Sequence, residues 1–117
     1  MTLLEKQQVF ASLLPRLINK ARELGYEVTI GEAYRPQAMA DLDAKEGKGI
    51  KCSLHGERLA IDLNLFKDGE YLTDTRAYQA LGMYWESLSH SEYETRWGGF
   101  FAKPDGDHFS IMHEGKA

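Results

Sequence analysis

Apolar residues recur every three or four positions along the first 24 residues, the spacing of one face of an α-helix. This stripe consists of Leu3, Phe10, Leu13, Leu14, Leu17, Ile18, Ala21 and Leu24. Thr2 and Glu5 fit a capping box at the start of the helix, and Gly25 is a suitable stop. Because Pro15 lies inside the pattern and lacks a backbone N–H, we expect a break near it or two short helices.

Runs rich in apolar and β-branched residues predict three main strands, bounded by turn residues. They cover residues 26–33, 59–66 and 108–113, and the second is the clearest. The Asp68-Gly69 pair after the second strand predicts a hairpin turn into a short returning strand at residues 71–72.

Two further helices are predicted, over residues 37–45 after Pro36 and over residues 74–89. The inner stripe of the later helix holds Tyr78, Leu81, Trp85 and Leu88. The segments around residues 97–99 and 103–106 are interpreted as turns or loops. With no repeat and no linker, this order predicts a single α+β domain over residues 1–117. In it a mainly antiparallel sheet carries helices packed on one face.

Charge and composition exclude several classes of protein. The 14 Lys+Arg against 18 Asp+Glu give a formal charge of −4, which argues against a nucleic-acid partner. No apolar run approaches the roughly 20 residues of a membrane span. Cys52 is the single cysteine and cannot form an internal disulfide. Since the first residues lack the features of a secretory signal, we expect the protein to be made in the cytoplasm.

Alternation along residues 59–66 separates an apolar face from a polar one. Leu59, Ile61, Leu63 and Leu65 share the first face, whereas Ala60, Asp62 and Asn64 share the second. His108 faces away from the core in the last strand, and His55 lies seven residues before Asp62. Two imidazoles and one carboxylate form a three-ligand set for Zn²⁺ that leaves one position for water. The same spacing also fits histidines that only form hydrogen bonds on a sheet.

The surroundings of these residues resemble a family of zinc peptidases that cut bacterial cell-wall peptides. Ser53-Leu54-His55 followed by Ala60-Ile61-Asp62 is similar to the S-x-H-x6-D signature of that family. Trp97-Gly98-Gly99 and Asp105-Gly106-Asp107-His108-Phe109 resemble its W-G-G and D/E-x-x-H-F block. Glu32-Ala33-Tyr34-Arg35 is similar to its arginine-bearing strand end. The family includes D-alanyl-D-alanine carboxypeptidases and phage endolysins that cleave the L-alanyl-D-glutamate bond.

The resemblance implies one zinc ion bound by His55, Asp62 and His108, with Asp105 as the general base. In an extended strand the side chain of Asp107 would point away from that of His108, which favours Asp105 over Asp107. A carboxylate beside the metal would accept a proton from water as it attacks the peptide carbonyl.

The remaining matched positions have alternative interpretations. Arg35 would stabilise the tetrahedral oxyanion or orient a substrate carboxylate, or it would only form an ion pair with Glu32. Ser53 is a candidate for a substrate hydrogen bond, or it only stabilises its loop. Arg58 stands where many family members have glycine, so a different backbone or substrate contact is expected in that loop.

We therefore expect a zinc-dependent hydrolase acting on the stem peptides of bacterial peptidoglycan. The endolysin-like L-alanyl-D-glutamate endopeptidase is the favoured activity, acting on the cell wall after release from the cytoplasm. One alternative is a D-alanyl-D-alanine carboxypeptidase. The other is a non-catalytic zinc-binding module that holds a wall peptide or a protein.

Overall fold

Two helices and five strands make up the described parts of this computed structural model, residues 1–36 and 54–117. The helices are α1 (Leu3–Glu23) and α2 (Gln79–Ser87). The strands are β1 (Glu27–Ile30), β2 (Ala60–Lys67), β3 (Glu70–Leu72), β4 (Thr95–Trp97) and β5 (His108–Ile111). Short 3₁₀ segments cover Leu54–Glu57, Thr75–Tyr78 and Gly98–Phe100. The helix predicted over residues 37–45 lies outside the described residues.

The strands form an antiparallel sheet in the order β1-β2-β5-β4, and β3 pairs with the far end of β2. In the β2–β5 register, Ile61 is opposite Phe109 and Asp62 is opposite His108. This architecture confirms the predicted α+β class and its antiparallel sheet.

The core lies between the sheet and the two helices. The Phe10 ring of α1 meets the Trp85 ring of α2 edge to face at 5.9 Å, and Trp85 meets Phe109 of β5 at 6.3 Å. Trp85 Nε1 also donates a hydrogen bond to the carbonyl of Ser110, at 3.0 Å. The alternate residues Ile61, Leu63 and Leu65 of β2 are buried in the same core. The predicted apolar face of this strand is thus confirmed, and its other face is left for polar residues.

α1 continues through Pro15 as one helix, so the predicted break is wrong. Pro15 is exposed, and so is Ala11, whose carbonyl loses its usual partner four residues later. Solvent can hydrate that carbonyl. The buried stripe of the helix (Phe10, Leu13, Leu17 and Ala21) lies on other positions and is undisturbed.

The segment predicted as a long helix over residues 74–89 begins as a 3₁₀ turn, and α2 itself covers Gln79–Ser87. The hydroxyl of Tyr78 donates to the carbonyl of Leu72 at 2.7 Å and accepts from the N–H of Leu65 at 3.0 Å. These two bonds fix the turn on the β2–β3 hairpin, which explains why regular α-helix starts only after Tyr78.

The hairpin itself agrees with the prediction. Asp68 and Gly69 have φ values of +51° and +80°, the left-handed pair that a tight type I′ turn requires. By contrast, β4 was not predicted. It has three residues, too few to show alternation, and it becomes a strand by pairing with β5.

Candidate metal centre

The pairing of β2 with β5 brings together the three predicted metal ligands. Asp62 and His108 are direct cross-strand partners, so their side chains share one face of the sheet. His55 is in the 3₁₀ turn that precedes β2. Oδ1 of Asp62 lies 3.4 Å from Nε2 of His55 and 3.7 Å from Nδ1 of His108. Both imidazoles are buried, and their ring centroids are 5.3 Å apart.

The distances in this cluster suit a shared cation better than direct hydrogen bonds. Hydrogen bonds from nitrogen to oxygen are typically about 2.7–3.2 Å long. Tetrahedral coordination with bonds of about 2.0–2.1 Å separates ligand atoms by about 3.3 Å. Within the described ranges, Oδ1 of Asp62 is buried without a hydrogen-bond partner. Nε2 of His108 is also buried without one, but the His108 nitrogen that lies near Asp62 is Nδ1. The group His55, Asp62 and His108 could therefore hold a metal ion.

The segment that follows β1 orients two of the three ligands. Nδ1 of His55 lies 3.2 Å from the carbonyl of Ala33, which favours a proton on Nδ1 and a lone pair on the Nε2 that faces Asp62. The N–H of Asp62 donates to the carbonyl of Glu32 at 2.8 Å, and Gly31 donates to the carbonyl of Asp62 at 2.8 Å. A Cβ at Gly31 would lie 3.2 Å from that of Asp62, so glycine permits this close approach.

The two imidazoles favour charge on the Asp62 carboxylate. Burial works to raise the pKa of Asp62, but the imidazoles of His108 and His55 outweigh it and hold that pKa at about 2. Burial likewise works to lower the pKa of His55, and the Asp62 carboxylate outweighs it and raises that pKa. A proton and a metal ion therefore compete for the same imidazole.

Two more carboxylates reach this face from the loop before β5. Asp62, Asp105 and Asp107 each place a carboxylate oxygen within 4.8 Å of the others. The prediction that Asp107 points away is wrong, because this residue lies in a turn and β5 begins only at His108. Asp105 is exposed and Asp107 is half-buried. Burial, a hydrogen bond with Asp105 and the nearby charge of Asp62 raise the pKa of Asp107 to about 7.

Backbone contacts hold this loop against the 97–99 segment. The N–H of Asp105 donates to the carbonyl of Gly98 at 2.9 Å, and the N–H of His108 donates to that of Asp105 at 3.1 Å. A Cβ at Gly98 would lie 2.1 Å from the Asp105 carbonyl oxygen and 2.9 Å from Cβ of His108, so this position requires glycine. The buried Trp97 adds a hydrogen bond from Nε1 to the carbonyl of Gly106 at 2.7 Å.

Arg35 lies beside the loop that carries His55. Its backbone N–H donates to the His55 carbonyl at 3.2 Å. Its Nε and Nη2 each lie 2.5 Å from Oε1 of Glu32, and that oxygen is 3.9 Å from Nδ1 of His55. The ion pair with Glu32, one of the three interpretations of Arg35, is thus formed, and it is formed next to a candidate ligand. Ser53 lies outside the described residues.

Arg58 has a φ of +55°, in the left-handed region that favours glycine. The loop after His55 therefore takes the backbone for which glycine is best suited, although it carries an arginine. The Arg58 guanidinium carbon lies 4.0 Å from the centroid of the Tyr34 ring.

The sequence named two further acidic residues without placing them in this site: Glu32 was considered only as an ion-pair partner of Arg35, and Asp107 was expected to point away. For Asp107 the available signal was the turn chemistry of Pro104 and Gly106, which places the residue before the strand. For Glu32 the signal was its position three residues before Arg35.

The similarity of this chain to known proteins lies in its fold. No protein-family model and no curated protein sequence matches this chain. It is similar to the crystal structure of the Serratia marcescens L-Ala D-Glu endopeptidase ChiX, with 20% sequence identity and a TM-score of 0.68. The similarity covers 92% of this chain and 84% of that one. Among the described residues, no helix is long and apolar enough to cross a membrane. This chain therefore has the same α+β fold as that endopeptidase.

Proposed function

We propose that this protein is a zinc-dependent peptidase that hydrolyses the L-alanyl-D-glutamate bond in the stem peptides of bacterial peptidoglycan. The observation that carries the proposal is the convergence of His55, Asp62 and His108 beside further carboxylates, with a buried Asp62 oxygen that has no hydrogen-bond partner among the described residues. The fold shared with an L-Ala D-Glu endopeptidase supports the choice of substrate.

The donor set favours zinc among the common metals. Two imidazole nitrogens and one carboxylate oxygen are typical of catalytic Zn²⁺ sites, whereas Ca²⁺ and Mg²⁺ prefer oxygen ligands. His55, Asp62 and His108 would hold the ion. When bound, zinc supplies Lewis-acid polarisation of the peptide carbonyl and lowers the pKa of water to about 7.

Asp105 is the proposed general base. Its carboxylate is exposed, so a substrate can reach it, and it lies within 4.8 Å of Asp62. It would accept a proton from the attacking water and then donate that proton to the amine that leaves. The half-buried Asp107 beside it is the competing candidate for this role.

Arg35 and Ser53 complete the proposed site. The Arg35 guanidinium would bind the carbonyl oxygen as negative charge develops on it, or bind a substrate carboxylate. Glu32 restricts the guanidinium to one orientation through the ion pair described above. Ser53 would donate a hydrogen bond to the substrate.

Digestion of purified peptidoglycan, with and without a chelator, tests the proposal. We expect soluble peptides with a new N-terminal D-glutamate, identified by mass spectrometry, and we expect the chelator to abolish their release. Release of free D-alanine instead would identify a D-alanyl-D-alanine carboxypeptidase. Equal release with the chelator would contradict the zinc mechanism. No release from zinc-loaded protein would favour the non-catalytic binding module.

A further inference from the structure

The exposed pair formed by Arg58 and Tyr34 has no role in the mechanism above. We infer that Arg58, held against the Tyr34 ring, binds a carboxylate of the substrate at the rim of the metal centre. This inference rests on the proposed function and specifies its substrate class: peptides with a free carboxylate beside the scissile bond.

Backbone contacts place this pair on the loop of a candidate metal ligand. The N–H of Arg58 donates to the His55 carbonyl at 3.4 Å, and the same oxygen accepts from the N–H of Arg35 at 3.2 Å. Tyr34 stands between Arg35 and Ala33, and the Ala33 carbonyl is the partner of Nδ1 of His55. Two arginines thus flank the loop that presents His55.

The two arginines differ in whether they form an ion pair with a described carboxylate. Arg35 is paired with Glu32. Within residues 1–36 and 54–117, no carboxylate forms an ion pair with Arg58, whose guanidinium lies over Tyr34 at 4.0 Å. A guanidinium stacked on an aromatic ring keeps the N–H donors at its edge for a carboxylate, which it can bind through two hydrogen bonds. Arg58 and Tyr34 are both exposed, so a ligand can reach them.

The backbone at Arg58 is unfavourable for a long side chain such as arginine. Its φ of +55° lies in the region that long side chains rarely adopt, and such strain is concentrated at functional sites. An arginine at this position therefore has a cost in stability, and no ion pair within the described residues offsets that cost.

The charges around the metal centre indicate why a cation is needed there. Glu32, Asp62, Asp105 and Asp107 give this face four carboxylates. The Arg35 guanidinium offsets the charge of Glu32, and a bound zinc ion would offset two of the three remaining negative charges, so this face would not by itself attract an anionic peptide. A guanidinium at the rim gives an acidic substrate a charge-assisted contact.

The test compares two synthetic peptides that contain the L-alanyl-D-glutamate bond, one with a free glutamyl α-carboxylate and one with an α-carboxamide. For Arg58→Gly we expect the KM for the acidic peptide to rise about tenfold with kcat within about twofold, and neither constant to change for the amidated peptide. Glycine accepts a positive φ, so the variant should fold at least as well as the wild type. Arg58→Asn, which also tolerates this backbone, is the second variant if the first does not fold.

Lys67→Gln is the matched control, because the Lys67 ammonium group also lies over an aromatic ring. The ring is that of the half-buried Tyr26, and the distance to its centroid is 5.8 Å. It is five residues along β2 from Asp62, and its replacement should leave both peptides unaffected. An equal change in KM for the two peptides, or none, would overturn the inference while leaving the peptidase activity established.

If the wild type cleaves neither peptide, the proposed function fails, and calorimetric binding of the same two peptides decides the inference. A preference for the acidic peptide that Arg58→Gly abolishes supports the role of Arg58. Equal affinities overturn it.

Discussion

At the scale of single residues, Asp105 and Asp107 both place a carboxylate oxygen within 4.8 Å of Asp62. Asp105→Asn should lower kcat at least a hundredfold, since it removes the proposed proton acceptor, and zinc content should not change. Asp107→Asn is the matched variant and should lower kcat less than tenfold. Turnover of the acidic peptide and the zinc-to-protein ratio are the two measurements.

The reverse order of effects would assign the base to Asp107, whose pKa burial and the neighbouring carboxylates raise to about 7. Loss of zinc from Asp105→Asn would make Asp105 a ligand.

His55 leads to a prediction about pH. Zinc binds the neutral imidazole, and the raised pKa of His55 means that a proton is held more tightly than at an ordinary pKa of 6.5. Zinc affinity should therefore be full at high pH. As the pH falls, the affinity should begin to weaken before pH 6.5 is reached. It should then fall about tenfold per pH unit for each proton displaced. Competition with a chromophoric chelator between pH 8 and 5 measures this slope.

His90→Gln is the control for that titration, because His90 is exposed and stacks on Tyr93 outside the metal centre. It should leave the slope unchanged. A zinc affinity that stays constant from pH 8 to pH 5 would exclude His55 as a ligand.

At the scale of elements, Gly98 sets how close the 97–99 segment lies to the loop of Asp105. Gly98→Ala would force a Cβ to 2.1 Å from the Asp105 carbonyl oxygen, so the loop must move. We expect the unfolding free energy to fall by about 1–3 kcal/mol and kcat to fall at least tenfold, because the base is displaced. Denaturant unfolding and peptide turnover test the two expectations.

Gly69→Ala is the control, because it should destabilise the protein without moving the loop of Asp105. Gly69 has a φ of +80°, but a Cβ there meets nothing within 4 Å. A loss of about 1–3 kcal/mol is expected from the left-handed backbone alone, with kcat unchanged. If the two variants lose activity equally, Gly98 acts through stability and not by positioning Asp105.

For some of the elements, the local sequence pattern was sufficient to predict the structure. β2 was predictable because every second residue is apolar and all of them reach the core. The polar side of α1 tolerates Pro15 because solvent replaces the lost hydrogen bond, a fact that the pattern alone does not reveal. β4 has three residues and depends on its partner β5, so no local signal could identify it.

At the scale of the whole molecule, the metal centre joins β2, β5 and the loop before β2 and should contribute to global stability. Zinc at one hundred times its Kd adds about 2.7 kcal/mol to the free energy of unfolding, or roughly 10 °C in Tm for a domain of this size. Thermal melts with zinc and with a chelator measure this shift.

Asp62→Asn is the control for the melts, since it keeps the size of the side chain but removes a charged ligand. Its Tm should respond little to zinc. Identical melts of the wild type with zinc and with chelator would argue against a zinc ion bound at this centre.

The sequence by itself determined the candidate residues for the chemistry and the face of each strand that they occupy. Alternation assigned Asp62 and His108 to the polar face, and the motif spacing singled out His55 and Asp105. Such information is local, because the direction of a side chain in a regular strand follows from its position.

Only the tertiary structure decided the register that sets Asp62 opposite His108, the turn that directs Asp107 to the same face, and the left-handed backbone of Arg58. Each of these depends on contacts between segments distant in the chain or on an irregular loop. There the direction of a side chain is fixed by its partners and not by its place in a repeating pattern.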